Sequence, residues 1–480
     1  MQKILLCLLL SVSGWANNIS VSGVSVTNQN TVDHSARINF SVRWDNSWRT
    51  STNENNYDGA WVFVKYKKNG TMEWRHCTLK TLGSDNDNGI RTIKVAPTTS
   101  GGPTGKGAFV YRSVNGFGTA DFASNQLVWD YGADNVLDSD TVEIKVFALE
   151  MVYIPTGPYW LGTGGGETNS FKAGNTSLPY WVNNSDAVAV GDSGLSFNGL
   201  GSGDSIPASF PNGYNAFWIM KYECTQQQYA DFLNTLDLAK ATALNTSYTS
   251  FNFDGAHPNI TPKFADRALD YQRGFGDYLK KELMAMADWA ALRPMSEMEF
   301  EKACRGADVP PQHGEYAWGN TDLVALTAVS NEGLPNESVN TSLNENANAL
   351  ISSSLGRPAR VGLFARTSYS GTDIPRQKSG ATYYGVMNMS DNVFEIVVYA
   401  GSAAGRNVSE EVHGLGGALT PSADTPIQEW ADAELTKRGS SYRTAANFTQ
   451  AQYLARVSNR GHHGGNGAIS QGIRLVHTAP

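Results

Sequence analysis

Leu292-Arg-Pro-Met-Ser-Glu-Met-Glu-Phe-Glu-Lys-Ala-Cys-Arg-Gly306 reads as the end of one helix, a short break and the start of another. Pro294 lacks a backbone N–H and disfavours helix in the residue before it, so the first helix stops there. Ser296 has the chemistry of an N-cap, and Glu299 three residues on completes a capping box. Glu297, Glu299 and Glu301 put negative charge where the helix dipole favours it, and helix-end electrostatics suffices to explain them. Phe300, Ala303 and Cys304 have the spacing of one buried face. Gly306 is a fitting stop.

Other blocks lie around this stretch in order. Before it come Met151-Val-Tyr-Ile-Pro-Thr-Gly-Pro-Tyr-Trp-Leu-Gly162 and Phe217-Trp-Ile-Met-Lys-Tyr-Glu-Cys-Thr-Gln-Gln-Gln-Tyr-Ala-Asp-Phe-Leu233. After it come Tyr316-Ala-Trp-Gly-Asn320, Tyr384-Gly-Val-Met-Asn-Met-Ser-Asp-Asn-Val-Phe-Glu-Ile396, Arg438-Gly-Ser-Ser-Tyr442 and Gln471-Gly-Ile-Arg-Leu-Val476. The central stretch closely resembles the Arg-Leu-Pro-Thr-Glu-Ala-Glu-Trp-Glu-Tyr-Ala-Ala-Arg-Gly signature of the formylglycine-generating enzyme family, also called sulfatase-modifying factor domains. The flanking blocks are similar to that family's other blocks. The resemblance implies an α+β, loop-rich domain related to the C-type lectin fold. Function still has to be argued from the site.

The chain has 480 residues, enough for two or more domains. Hydrophobic residues make up 41% and charged residues only 17%, with 48 Gly; this suits loop-rich, β-containing extracellular proteins better than helical bundles. A net charge of −8 without any basic run argues against nucleic acid as a partner. Residues 1–16 read as a secretory signal peptide: one Lys, a short apolar core, then small residues ending in Ala16. The apolar run is too short to span a bilayer, and no other stretch reads as a transmembrane span. The chain is therefore expected to be secreted, periplasmic or at the cell surface. Beyond Ala16 three Cys remain, Cys77, Cys224 and Cys304. They read as buried small hydrophobes, with a Cys224–Cys304 bridge left open.

Residues 17–148 read as an all-β sandwich domain. Ile19–Val26, Ala36–Trp44 and Trp61–Tyr66 alternate with period two, and Asn69-Gly70 marks a turn. Further strands are expected at Ile90–Val95, Ala108–Arg112, Gln126–Trp129 and Thr141–Phe147, a pattern that suggests a β-sandwich. Trp44, Trp48, Trp61, Trp74 and Trp129 suit a sandwich core or, alternatively, a carbohydrate-binding face. Residues 149–480 form the sulfatase-modifying-factor-like domain. Within it 163–216 and 397–437 read as long insertions, the first at the surface. A helix over 226–236 is capped by Thr225, and another covers Leu279–Leu292.

The family activity would oxidise a substrate Cys to formylglycine with copper held by two Cys thiolates. Soft thiolates are what Cu(I) requires. The corresponding positions here are Thr444 and Thr449, and no Cys follows Cys304. A hydroxyl replaces a thiolate neither as ligand nor as redox group, so copper is not expected and no catalytic residue is assigned. A related iron-dependent branch needs a His-rich ligand set. The eight His here offer only His462-His463 as neighbours, on a Gly-rich loop that reads as surface or as part of a ligand pocket. Serine-hydrolase, zincin and phosphate-loop templates are absent.

The resemblance also implies Ca²⁺, which takes hard oxygen donors. Asn388 and Glu395 would be side-chain ligands, with Asp391 and Val393 giving backbone carbonyls; Asp391 stands where the family has Gly. Asn331 and Glu332 match the first two ligands of a second family site whose later Asp is not evident. Arg438 and Arg474 match positions that tie the C-terminal strands to the core. Tyr442, with Thr444, Thr449 and His462, would line the former active-site groove. The leading expectation is an exported, calcium-stabilised family member without oxidase activity that binds a protein, peptide or glycan. The alternatives are a formylglycine-generating oxidase using a displaced Cys304 or Cys224, or a variable ligand-binding receptor with 443–470 as its variable face.

Overall fold

The computed structural model describes residues 19–164, 166–197, 204–245, 253–271, 279–307, 309–351, 355–365, 375–416, 419–420, 423–443, 448–461 and 470–480. The expected signal peptide lies outside them, as do Thr444 and His462. The chain is strand-rich with few helices.

The N-terminal region is consistent with a β-sandwich. Ser20–Asn30, Ser35–Arg49 and Gly116–Asp130 pair antiparallel in that order. Arg91–Pro97, Thr104–Arg112, Asp58–Lys68 and Val142–Ile154 form the other layer. The short strand Leu79–Lys80 pairs with a strand of each layer and links them. Between the layers lie Ile38, Phe40, Val42 and Trp44 from one side and Ala60, Val62, Val64, Ala108 and Val110 from the other.

Side chains alternate across a strand, and here the alternate set is buried too. Trp61, Phe63 and Phe109 leave the sandwich and enter the largest core, among Trp218, Trp289 and Leu292. The period-two alternation expected over Trp61–Tyr66 is therefore not an alternation of buried and exposed faces, because Trp61–Val64 is buried throughout. The tryptophans fill cores: Trp44, Trp61 and Trp129 are almost fully buried. Trp74 is covered by Lys67 and Lys145, and Trp48 packs on Lys221. None forms an open carbohydrate face.

The strand Val142–Ile154 runs through the boundary expected at 148/149. Its first part pairs with Asp58–Lys68 and its end with Phe217–Met220. That strand pairs with Leu475–Thr478, which pairs with Arg293–Pro294. One sheet therefore carries both halves. Polar contacts cross the seam as well. The Trp61 indole donates to Ala290 O at 2.8 Å, and the Asn56 amide donates to Tyr384 O at 2.7 Å. The buried Lys221 ammonium donates to Asp58 Oδ2 and Glu150 Oε2, both at 3.1 Å. Asp58 also accepts from the Trp44 indole and the Ser47 hydroxyl. Burial raises the Glu150 carboxyl to about 8, against the pull of Lys221.

Residues 163–216 are not merely a surface insertion. They carry two short ladders of their own and a third with Tyr159–Leu161, and they place Phe171, Val182, Leu195, Ile206 and Phe210 in the main core. The 397–437 segment likewise contributes Val408 and Trp430. The Ser296 capping box and the Thr225 cap form as expected, and Gln228 completes a box at Thr225 as well.

Near the C-terminus, the buried rings of His413 and His477 stack 3.7 Å apart, and His413 Nε2 accepts from Thr478 N at 3.0 Å. Burial, aided by the nearby Arg293, pushes both below the usual imidazole range, His477 to about 3.

Asp58→Ala strands Lys221 beside Glu150 and should destabilise the whole chain by about 3–5 kcal/mol, seen as one cooperative urea transition at a lower midpoint. An unchanged midpoint would show that the seam carries no stability. The histidine pair works through acid. The unfolded imidazoles take protons at about 6.5 while the folded pair refuses them, so its stability is complete above that value and is lost as pH falls toward 3. The melting temperature should fall between pH 7 and 4.5, less steeply in His477→Phe; equal slopes would exclude the pair.

Candidate functional site

The signature helix Glu297–Arg305 is capped by Ser296, whose hydroxyl accepts from Glu299 N while the Glu299 carboxylate accepts from Ser296 N, each at 3.0 Å. Its charges are not at the surface. Glu297, Glu299 and Glu301 are fully buried, and each meets guanidinium groups. Arg460 clasps Glu297 at 2.6 and 2.7 Å. Arg293 clasps Glu299 at 2.9 and 2.6 Å. Arg438 bridges Glu297 and Glu301, and Arg305 joins Glu301 to Glu315. The dipole accounts for Glu297 and Glu299 in the first turn but not for Glu301 or for the burial of all three; four arginines account for that.

This helix abuts the strand Phe394–Val398, which pairs with Leu435–Arg438 and Gln471–Gly472. The turn before that strand holds the first expected calcium set. Asn388 has φ +62°; its amide oxygen accepts from Gly362 N at 3.0 Å and its amide N–H donates to Asp391 Oδ1 at 3.2 Å. The other Asp391 oxygen accepts from Leu350 N at 2.7 Å. Glu395 Oε1 accepts from Arg474 Nε at 2.6 Å, and its other oxygen is buried without a hydrogen-bond partner. Glu223 stands beside them, accepting from Asn392 Nδ2 at 2.5 Å and Val393 N at 3.1 Å.

Burial, together with the mutual repulsion of Glu223, Glu395 and Asp391, pushes the Glu223 carboxyl well up. Burial raises Glu395 as well, and Asp391 to about 6. Three carboxyls thus face one guanidinium. Among the described residues no group of three or more His, Cys, Asp or Glu side chains is disposed to hold a metal. The expected set needs none: it uses one carboxylate, one amide and two backbone carbonyls. Oxygen-only donors, an orphaned Glu395 oxygen and an excess of negative charge fit Ca²⁺.

The second expected set does not fit. Glu332 is largely exposed and its carboxylate accepts from Arg357 Nε at 2.8 Å; Arg357 also holds Glu337. A guanidinium is the cation there. Asn331 closes a local turn: its carbonyl accepts from Leu334 N, and its side-chain amide donates to Asn336 O at 3.5 Å.

Of the groove residues, Tyr442 is buried, and its hydroxyl donates to Asp270 Oδ2 at 2.5 Å. Thr449 lies on the exposed first turn of the helix Phe448–Leu454. Cys77, Cys224 and Cys304 are free and buried, and each belongs to a different hydrophobic core. Burial pushes all three thiols up.

Sequence reasoning missed Glu223, Asp270, Arg357 and Arg460 as parts of these constellations. Glu223 had a signal: it lies two residues before the Thr225 cap in a block already singled out. Arg460 had none, since its partner Glu297 is remote in the chain.

The family model of the sulfatase-modifying factor enzyme 1-like domain matches residues 145–479, and the chain belongs to that family. No curated protein matches the chain.

Proposed function

We propose that this chain is an exported family member without oxidase activity. In this reading Asn388, Glu395 and the carbonyls of Asp391 and Val393 hold Ca²⁺, which neutralises the excess carboxylate charge and fixes the turn before Phe394. The domain then serves as a rigid scaffold outside the cytoplasm that binds a protein, peptide or glycan. The expected kinship with the C-type lectin fold belongs to the same reading. No helix among the described residues is long and apolar enough to cross a membrane.

The observation that carries the non-oxidising reading is the placement of the thiols. Cu(I) needs two thiolates on one centre, whereas Cys77, Cys224 and Cys304 sit in three separate cores and burial opposes their ionisation. No Cys follows Cys304. This also weighs against an oxidase with a displaced Cys224 or Cys304.

The test pairs two measurements on the full protein. With copper, oxygen and a Cys-x-Pro-x-Arg peptide, mass spectrometry should find the peptide unchanged; an aldehyde trapped by a hydrazide would overturn the reading. After chelation, added Ca²⁺ should raise the melting temperature, by the equivalent of ~2.7 kcal/mol at a hundredfold excess over Kd. Glu395→Gln should lose most of that shift, and a shift of equal size in the variant would remove calcium from this turn.

A further inference from the structure

The signature helix ends at Gly306, and beside its last turn lies a cavity of ≈ 120 Å³. That is well above the ~10–15 Å³ an ordered water needs and below the ~300–1,000 Å³ of pockets for larger organic ligands. Its size admits a small functional group. Arg305, Glu315 and Arg376 bring charge to its wall, and Val309, Pro310 and Tyr316 bring apolar surface. Val309 and Pro310 are exposed and form the mouth.

The charges are unequally satisfied. Arg305 is committed to Glu301, Glu315 and Ser458. Both Glu315 oxygens are taken, one by Arg305 and the other by Gln312 N at 3.0 Å. Arg376 differs. One of its terminal nitrogens donates to Cys304 O at 3.1 Å and Ala317 O at 2.9 Å, but Nε is buried without a partner. No carboxylate lies within ion-pair distance of it among the described residues. Two carbonyls satisfy hydrogen bonds without balancing a charge, and an uncompensated buried cation is costly. The Tyr383 ring, 5.6 Å away, offsets little of this. Burial pulls Arg376 below the usual guanidinium range, against the weaker opposing pull of Cys304, Glu315, Tyr383 and Glu54, none of which forms an ion pair with it. Gly319 keeps this arrangement open: at φ +85°, a Cβ there would sit 2.8 Å from Arg376 Nη1.

We propose that this cavity binds one small carboxylate group, paired with the Arg376 guanidinium and with its alkyl stub against Val309, Pro310 and Tyr316. The planar fork of a guanidinium matches a carboxylate. One uncompensated positive charge suits a monoanion, and the Glu315 carboxylate in the wall disfavours a dianion such as phosphate. The carboxylate comes from a free short-chain acid or from a peptide terminus or side chain. This site is separate from the calcium turn and does not depend on the non-oxidising reading.

The test uses the full chain at constant ionic strength with chloride as background. NMR of ¹³C-labelled acetate and propionate should show saturable binding, and at least tenfold weaker binding to Arg376→Gln. Because Arg376 also ties down Cys304 O, Val309→Trp serves as a second variant: an exposed rim position whose indole blocks the mouth without touching the buried network. It should abolish binding with an unchanged circular dichroism spectrum. A peptide with a free C-terminus competing where its amide does not would identify the peptide source; acetate binding with no competition by either would identify a free acid. Absence of saturable binding, equal binding in wild type and Val309→Trp, or preference for inorganic phosphate would overturn the proposal.

Discussion

The architecture depends on charge neutralisation around one buried helix. Glu297, Glu299, Glu301 and Glu315 face Arg293, Arg305, Arg438 and Arg460, so four carboxylates meet four guanidiniums. Removing ions from water costs several kcal/mol each, and only good geometry with further hydrogen bonds repays it. The geometry here is supplied from a distance. Arg438 ends a strand and Arg460 follows the helix Phe448–Leu454. Gly162 N donates to Glu301 and Ala400 N to Glu297. Each contact fixes a loop-rich segment that has little regular structure to hold it. A domain with so few long helices is specified by these pairs as much as by its apolar cores.

The same logic joins the two halves of the molecule. The strand Asp58–Lys68 is buried on both faces because the sandwich covers one and the family domain the other. A module that merely preceded the family domain would show water-facing residues at alternate positions. Instead Trp61 and Phe63 complete a core begun by Trp218 and Trp289, and Asp58 shares Lys221 with Glu150. The family match from residue 145 starts inside the strand that both halves use.

Local chemistry was legible in the sequence, and long-range chemistry was not. The Ser296 and Thr225 caps could be read because a capping box closes within four residues. The strands of the sandwich could be read by their alternation, although Gly116–Asp130 and Val142–Ile154 extend well beyond the segments expected there. The burial of Glu297 could not be read, because its arginines lie more than a hundred residues away. Nor could the fate of Trp61, since period-two reading assigns a residue to the face opposite its neighbours without saying what covers that face. The Asn388–Glu395 turn was recognisable from its wording. Its third carboxylate, Glu223, stands in one of the family-like blocks, but the fold alone brings it beside Asn392 and Val393.

Comparing the interior charges ranks the sites. Around Glu332 and Glu337 the cation is already supplied by Arg357, with Arg267 3.7 Å from Glu337, so a bound ion has nothing left to neutralise. At Asn388–Glu395 the balance is negative, because Arg474 spends its other donors on Met220 O and Met387 O and pairs with Glu395 alone. At Arg376 the balance is positive, and its bonded partners are carbonyls. A folded interior tolerates imbalance poorly because the low dielectric magnifies it. In the proposed reading an external ion of the opposite sign relieves each imbalance: an oxygen-seeking cation at the turn, a carboxylate at the helix end.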